Sequence, residues 1–256
     1  MIASLGMYDP APLQDANDRY WALIRDGLRA AGLDAPDALT RGPGAYWPAW
    51  QAPDLVLSQT CGLPYRARLH DRVTLIGTPD FGLDGCPPGY YRSLFVARRD
   101  DPRAKLVDFM GGRLAYNEEL SQSGWAAPCH HAAALGLRWS SLLRTGAHAA
   151  SSRAVAEGEA DIAAIDALTW ALLSRHEPRT QDLRILGATR PTPGLPYISA
   201  PGADAGIMFA VIAAAIEGLT PGDRDLLHLR GIVRIPADDY LAMTIPPAPE
   251  ALAAAS

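Results

Sequence analysis

Two short polar runs carry the residue types that grip a small anion: Ser121-Gln122-Ser123-Gly124 and Thr145-Gly146-Ala147-His148-Ala149-Ala150-Ser151. Each lies between an apolar, strand-like stretch and a helical one, so each falls at a helix start. The first N–H groups of a helix have no partner within it, and the aligned peptide dipoles place about half a positive charge there. Small hydroxyl and glycine residues at such a start therefore offer several donors to one oxyanion. Taken singly, the same residues are ordinary N-caps, and His148 alone is an ordinary surface or core histidine. Asp166, directly after an apolar run, is either the cap of the next helix or an acidic ligand contact. A third polar turn, Ser58-Gln59-Thr60, ends a strand near the beginning of the chain and could complete a cleft. Binding separates from capping only if these turns converge.

Other chemistries lack their residues. The chain contains no GxSxG elbow, no phosphate-binding P-loop and no HExxH zinc motif. Cys129-His130-His131 is a poor thiol–base pair, because neighbours along a helix point in different directions. The glycines of Arg41-Gly42-Pro43-Gly44 have no strand–helix context for a nucleotide. Cys61, Cys86 and Cys129 show no metal spacing, and their odd number excludes a full disulfide framework. Three reduced thiols are expected, with one bridge left open. Neither a metal nor a cofactor is called for. Lys and Arg total 23 against 28 Asp and Glu, a net charge of −5, so no overall field attracts nucleic acid or anionic lipid. No stretch approaches the roughly 20 apolar residues of a membrane span, and membrane insertion is not expected.

The elements that must position these turns alternate along the chain. Residues 17–31 carry Tyr20, Trp21, Ile24, Leu28 and Ala31 at helical spacing, with Gly32 at a C-cap position. Strands are expected at 54–58, 73–77, 92–98, 113–117, 139–143, 161–165 and 183–187. Helices are expected over 102–109, 121–135, 147–157, 167–176 and 203–217. Residues 81–91 and the tail beyond Pro246 read as irregular. This alternation predicts an α/β fold with mainly parallel sheets, in which loops at the strands' carboxyl ends take the ligand. The segments 91–99 and 188–196 are candidate crossing strands between two lobes.

Taken in order, the motifs resemble a known family. They are Leu57-Ser58-Gln59-Thr60-Cys61-Gly62, Tyr90-Tyr91 with the strand that follows, and the 113–117 strand leading into Ser121-Gln122-Ser123-Gly124. The 145–151 run follows, and then Val155-Ala156-Glu157-Gly158-Glu159-Ala160-Asp161-Ile162-Ala163-Ala164-Ile165-Asp166. Over roughly residues 2–200 the chain is similar to the phosphonate-binding proteins of ABC transporters, within the type II periplasmic binding protein fold. One departure stands out: many members carry Thr where this chain has Gln122, so an amide replaces a hydroxyl.

The resemblance implies an α/β, two-lobed fold with two crossing hinge strands, lobe 1 being 1–94 plus 192–256 and lobe 2 being 95–191. It implies a solute-binding protein, without catalysis, that closes over a phosphonate or related oxyanion. The implied contacts are Ser121, Gln122, Ser123, Thr145, Gly146, His148 and Asp166 from the second lobe. Tyr8 and Thr60 come from the first, and Tyr91 from a crossing. An ABC permease is the implied partner. The location is periplasmic if a leader was removed and cytoplasmic if the chain begins as written, since Met1 runs straight into Ile2-Ala3-Ser4-Leu5-Gly6-Met7-Tyr8, which reads as a first core strand. The alternatives are an enzyme of thiamine-pyrimidine-like biosynthesis and a ligand-sensing module.

Overall fold

The computed structural model describes residues 1–253 and divides them into two units. Met1–Tyr90 and Pro193–Met243 form the first. Tyr91–Thr192, with residues 244–253, forms the second.

In chain order, the first unit supplies β1 (Ile2–Ser4), α1 (Gln14–Ala30), the single turn α2 (Trp47–Trp50), β2 (Leu55–Gln59), the single turn α3 (Gly62–Pro64) and β3 (Thr74–Asp80). The short strand β4 (Tyr90–Tyr91) leads into the second unit. There follow β5 (Ser93–Arg98), β6 (Arg113–Tyr116), a wide π-type turn Gln122–Ala126 running into α4 (Ala127–Ala134), and β7 (Ser141–Arg144). Next come α5 (His148–Ala156), β8 (Ile162–Asp166), α6 (Ala167–His176), β9 (Leu183–Ala188) and β10 (Thr192–Pro193), which pairs with β4. The chain then returns through β11 (Tyr197–Ser199), α7 (Ala205–Gly218), α8 (Pro221–Leu227), β12 (Gly231–Val233) and α9 (Ala237–Leu241), and ends in α10 (Pro249–Ala253).

In the first unit, α1 forms where its apolar stripe requires. Tyr20, Trp21, Ile24 and Leu28 are buried at helical spacing. Gly32 ends it with φ +79, while its N–H donates to Arg29 O and the Leu33 N–H to Leu28 O, a Schellman closure that satisfies the last carbonyls. The sheet order is β1-β2-β11-β3-β12. Beside it pack Trp50, Leu55, Tyr65, Leu69, Ile198 and Tyr240. Each leucine or isoleucine among them contributes about 1.5–3 kcal/mol on burial.

The second unit is built on the sheet β7-β6-β8-β5-β9. Both faces of β5 are covered, which explains its unbroken apolar run. Phe95 and Ala97 join Phe109, Leu114, Trp125, Trp139 and Ile162 on one side. Val96 joins Ala115, Val155, Ala163, Ile165 and Leu183 on the other.

Three expectations are corrected. The sheets are mixed rather than mainly parallel: β5 runs antiparallel to both β8 and β9, and β11 antiparallel to both β2 and β3. β5 opens the second unit and β11 re-enters the first, and both can lie antiparallel to their neighbours without the crossover helix that parallel pairing needs. The helix expected over 102–109 shrinks to a 3₁₀ turn, Leu106–Phe109. The tail from Thr244 lies with the second unit rather than the first, where the Trp125 indole N–H donates to Pro247 O at 3.2 Å.

Candidate functional site

The second unit gathers its polar turns at the ends of adjacent strands. Ser121 caps the turn that opens α4, its hydroxyl accepting from the Gly124 N–H at 2.9 Å. The Trp125 and Ala126 N–H groups donate to Ser121 O, so those of Gln122 and Ser123 precede the first intrahelical bond. All three residues of Ser121-Gln122-Ser123 are buried. The Ser123 carbonyl accepts from Ser93 Oγ at 2.9 Å, which ties the turn to β5.

The second turn leaves β7. Thr145 and Gly146 N–H groups donate to the carbonyls of Tyr116 and Asn117 at the end of β6, both at 2.9 Å. Gly146 takes φ +88, a conformation that glycine adopts without strain. The Thr145 hydroxyl donates to Tyr116 O and lies 2.6 Å from Ser151 Oγ, so it braces α5 from within. No side chain caps α5, and the N–H groups of residues 148–150 precede its first intrahelical bond, from Ser151 N to Ala147 O.

His148 joins the two turns, its Nε2 lying 2.8 Å from Ser123 Oγ. Burial holds the imidazole below the usual histidine range, with the negative charge of Asp166 pulling the other way. The ring is therefore neutral at pH 7. Asp166 Oδ1 accepts from the Leu168 and Thr169 N–H groups at 2.7 and 3.3 Å, and Oδ2 accepts from Thr169 Oγ1 at 3.2 Å. Asp166 thus caps α6, and its pairing partner across β8 and β5 is Ser93.

The remaining expected residues lie elsewhere in the fold. Tyr91, buried, opens the second unit. Tyr8 and Thr60 belong to the first unit. Tyr8 meets the Phe81 ring edge to face at 5.3 Å, and its carbonyl accepts from Asn17 Nδ2 at 3.0 Å. Thr60 follows β2 and donates its N–H to Pro196 O at 3.0 Å. Its hydroxyl is buried with no hydrogen-bond partner among the described residues. Cys129-His130-His131 splays apart as helical geometry demands: Cys129 is buried, His130 Nε2 meets Thr244 Oγ1 at 3.2 Å, and His131 packs on Phe95. No disulfide joins the three cysteines. Among the described residues no His, Cys, Asp or Glu cluster could hold a metal, and no single helix is long and apolar enough to cross a membrane.

Sequence reasoning passed over Asn117 and Ser93, which position or adjoin these turns. Asn117 read as the last residue of a strand, and Ser93 sat inside an apolar run.

Two α/β units on five-stranded mixed sheets, joined by the paired strands β4 and β10, make up the type II periplasmic binding protein fold. The fold is similar to that of a Xanthomonas citri protein solved bound to chloride ion, at TM-score 0.68 and 16% identity, covering 99% of this chain and 96% of that one. It is similar to PhnD1 of Prochlorococcus marinus in complex with methylphosphonate, at TM-score 0.67 and 18% identity over 89% and 90% of the two chains. The periplasmic aliphatic sulphonate binding protein SsuA of Escherichia coli matches at TM-score 0.58 and 16% identity over 87% and 84%. No curated protein matches the chain in sequence. Residues 57–240 match the family described as ABC transporter, phosphonate, periplasmic substrate-binding protein, and the chain belongs to that family. It is a solute-binding protein of the ABC transporter type, and the enzymatic and sensory alternatives are not favoured.

Proposed function

We propose that the second unit holds one phosphonate or related oxyanion between the start of α4 and the start of α5. The observation that carries this reading is the contact between Ser123 Oγ and His148 Nε2, which brings the two helix starts together. Hydroxyls, helix-start N–H groups and a neutral imidazole would supply the donors, so the anion would be stabilised by aligned dipoles rather than by a cationic side chain. Each hydrogen bond to a charged group contributes roughly 1.5–3 kcal/mol net. Four or five of them, less the losses on association, give micromolar affinity, about −8 kcal/mol.

Tyr8, Thr60 and Tyr91 would complete the ligand's surroundings, and Asp166 would meet an amine or hydroxyl on the ligand. Closure of the two lobes over the ligand would present the complex to an ABC permease from the periplasmic side. Family membership supports this partner and place. The test is calorimetric titration of wild type and the Ser121→Ala/Ser123→Ala double variant with methylphosphonate, inorganic phosphate and methanesulfonate. Micromolar binding of one phosphorus oxyanion, weakened at least tenfold in the folded double variant, is expected. Equal affinity in the two proteins excludes this site.

A further inference from the structure

Asn117 stands where the two oxyanion turns meet, and its side chain has no evident structural task. Its backbone is fixed: the carbonyl accepts from the Gly146 N–H at 2.9 Å. Its side-chain Oδ1 is buried with no hydrogen-bond partner among the described residues. A methyl carbon placed on Gly124 would stand 2.0 Å from that oxygen and 3.3 Å from His148 Cε1. One Cα–H of Gly124 therefore points at Oδ1, and the histidine ring is close by. A carbonyl oxygen suits such a C–H neighbour, as in other weak Cα–H···O contacts. An NH2 group in its place would set hydrogen against hydrogen. The contact orients the amide, oxygen inward against Gly124 and NH2 turned away from it, on a residue that is half-buried.

We propose that Asn117 is a ligand-contacting, specificity-determining residue, whose NH2 group donates to an unprotonated oxygen of the bound oxyanion. The inference rests on the reading of the two helix starts as the oxyanion site. It gives Gly124 a second task besides its turn, because any larger residue there would push the amide aside.

The test is calorimetric titration with methylphosphonate of wild type, Asn117→Ala, Asn117→Asp and Gly124→Ala, each checked by thermal melting. Asn117→Asp is the decisive variant. It is isosteric and keeps an oxygen against Gly124, so a purely structural role is preserved, but it replaces the donor with a charged acceptor. Expected are a loss of 10- to 100-fold in affinity for Asn117→Ala and of more than 100-fold for Asn117→Asp, with melting temperature retained in Asn117→Asp. Gly124→Ala, which leaves Asn117 chemically intact, should also weaken binding at least tenfold. Affinities of both Asn117 variants within twofold of wild type, while the Ser121/Ser123 double variant is weakened, overturn the Asn117 assignment alone. Absence of binding by wild type to phosphonate, phosphate and sulfonate alike overturns the oxyanion reading and this inference with it.

Discussion

Ser123 Oγ and His148 Nε2 lie 2.8 Å apart, although 25 residues separate them in the chain. Burial penalises the charged form of the imidazole.

This contact has a pH signature. The folded-state pKa of His148 lies below its ordinary value of 6.5, so below that pH the unfolded chain binds more protons than the folded one. Stability is therefore complete above about pH 6.5 and is lost as the pH falls through the window beneath it. His131, held down by burial and by Arg190, has the same sign. The melting temperature of wild type should fall between pH 7.5 and 5.5, and His148→Asn should show a smaller fall. An identical decline in the variant would assign the effect to His131 and other groups.

Asp166 separates capping from ligand contact. Asn retains the oxygen that accepts from the Leu168 and Thr169 N–H groups and is an equally good N-cap. Asp166→Asn should therefore leave stability within about 0.5 kcal/mol, whereas Asp166→Ala should cost about 1 kcal/mol. If Asp166 meets a ligand amine, Asp166→Asn weakens binding of an aminoalkylphosphonate at least tenfold and spares methylphosphonate. Equal effects on the two ligands, measured by titration, would confine Asp166 to its cap.

How much of this was legible in the sequence depends on the range of the interaction. Helix α1 was readable because Tyr20, Trp21, Ile24 and Leu28 recur at a period the chain enforces locally, and Gly32 closes it within one turn. The helix starts at Ser121 and His148 were readable for the same reason. The direction of β5 was not, since its partners on β8 and β9 lie 65 to 94 residues further along the chain. Ser93 resembled part of a buried strand, and only the fold shows its hydroxyl holding the Ser123 carbonyl. Asn117 and Gly124 are seven residues apart, but no periodic pattern links a strand end to a turn, so their close packing needed coordinates.

Thr60 makes opposite predictions for stability and for binding. Its hydroxyl is buried without a partner among the described residues, and an unsatisfied buried polar atom costs roughly 1–3 kcal/mol. Thr60→Val keeps the shape and removes that atom. The ligand-free variant should melt higher than wild type, by about 2–4 °C for each kcal/mol recovered. If Thr60 also contacts the ligand, its affinity falls in the same protein. A lower melting temperature for Thr60→Val would mean that the hydroxyl has a partner in solution.

The cysteines offer a check on packing that does not involve the ligand. Burial pushes the Cys129 thiol up to about 12, so almost none of it is thiolate, the reactive form, at pH 8. Cys61 is also buried, whereas Cys86 is half-buried on an irregular segment. A disulfide reagent such as dithionitrobenzoate at pH 8 should therefore react quickly with one thiol per native molecule. Addition of guanidinium chloride should raise the count to three without any reductant, because no disulfide joins these residues. Cys86→Ser should abolish the fast phase and leave two thiols that react only on unfolding. A fast phase that survives in Cys86→Ser would place Cys61 or Cys129 in a part of the fold that opens readily, contradicting the tight packing of Cys129 beside Phe95 and Trp125.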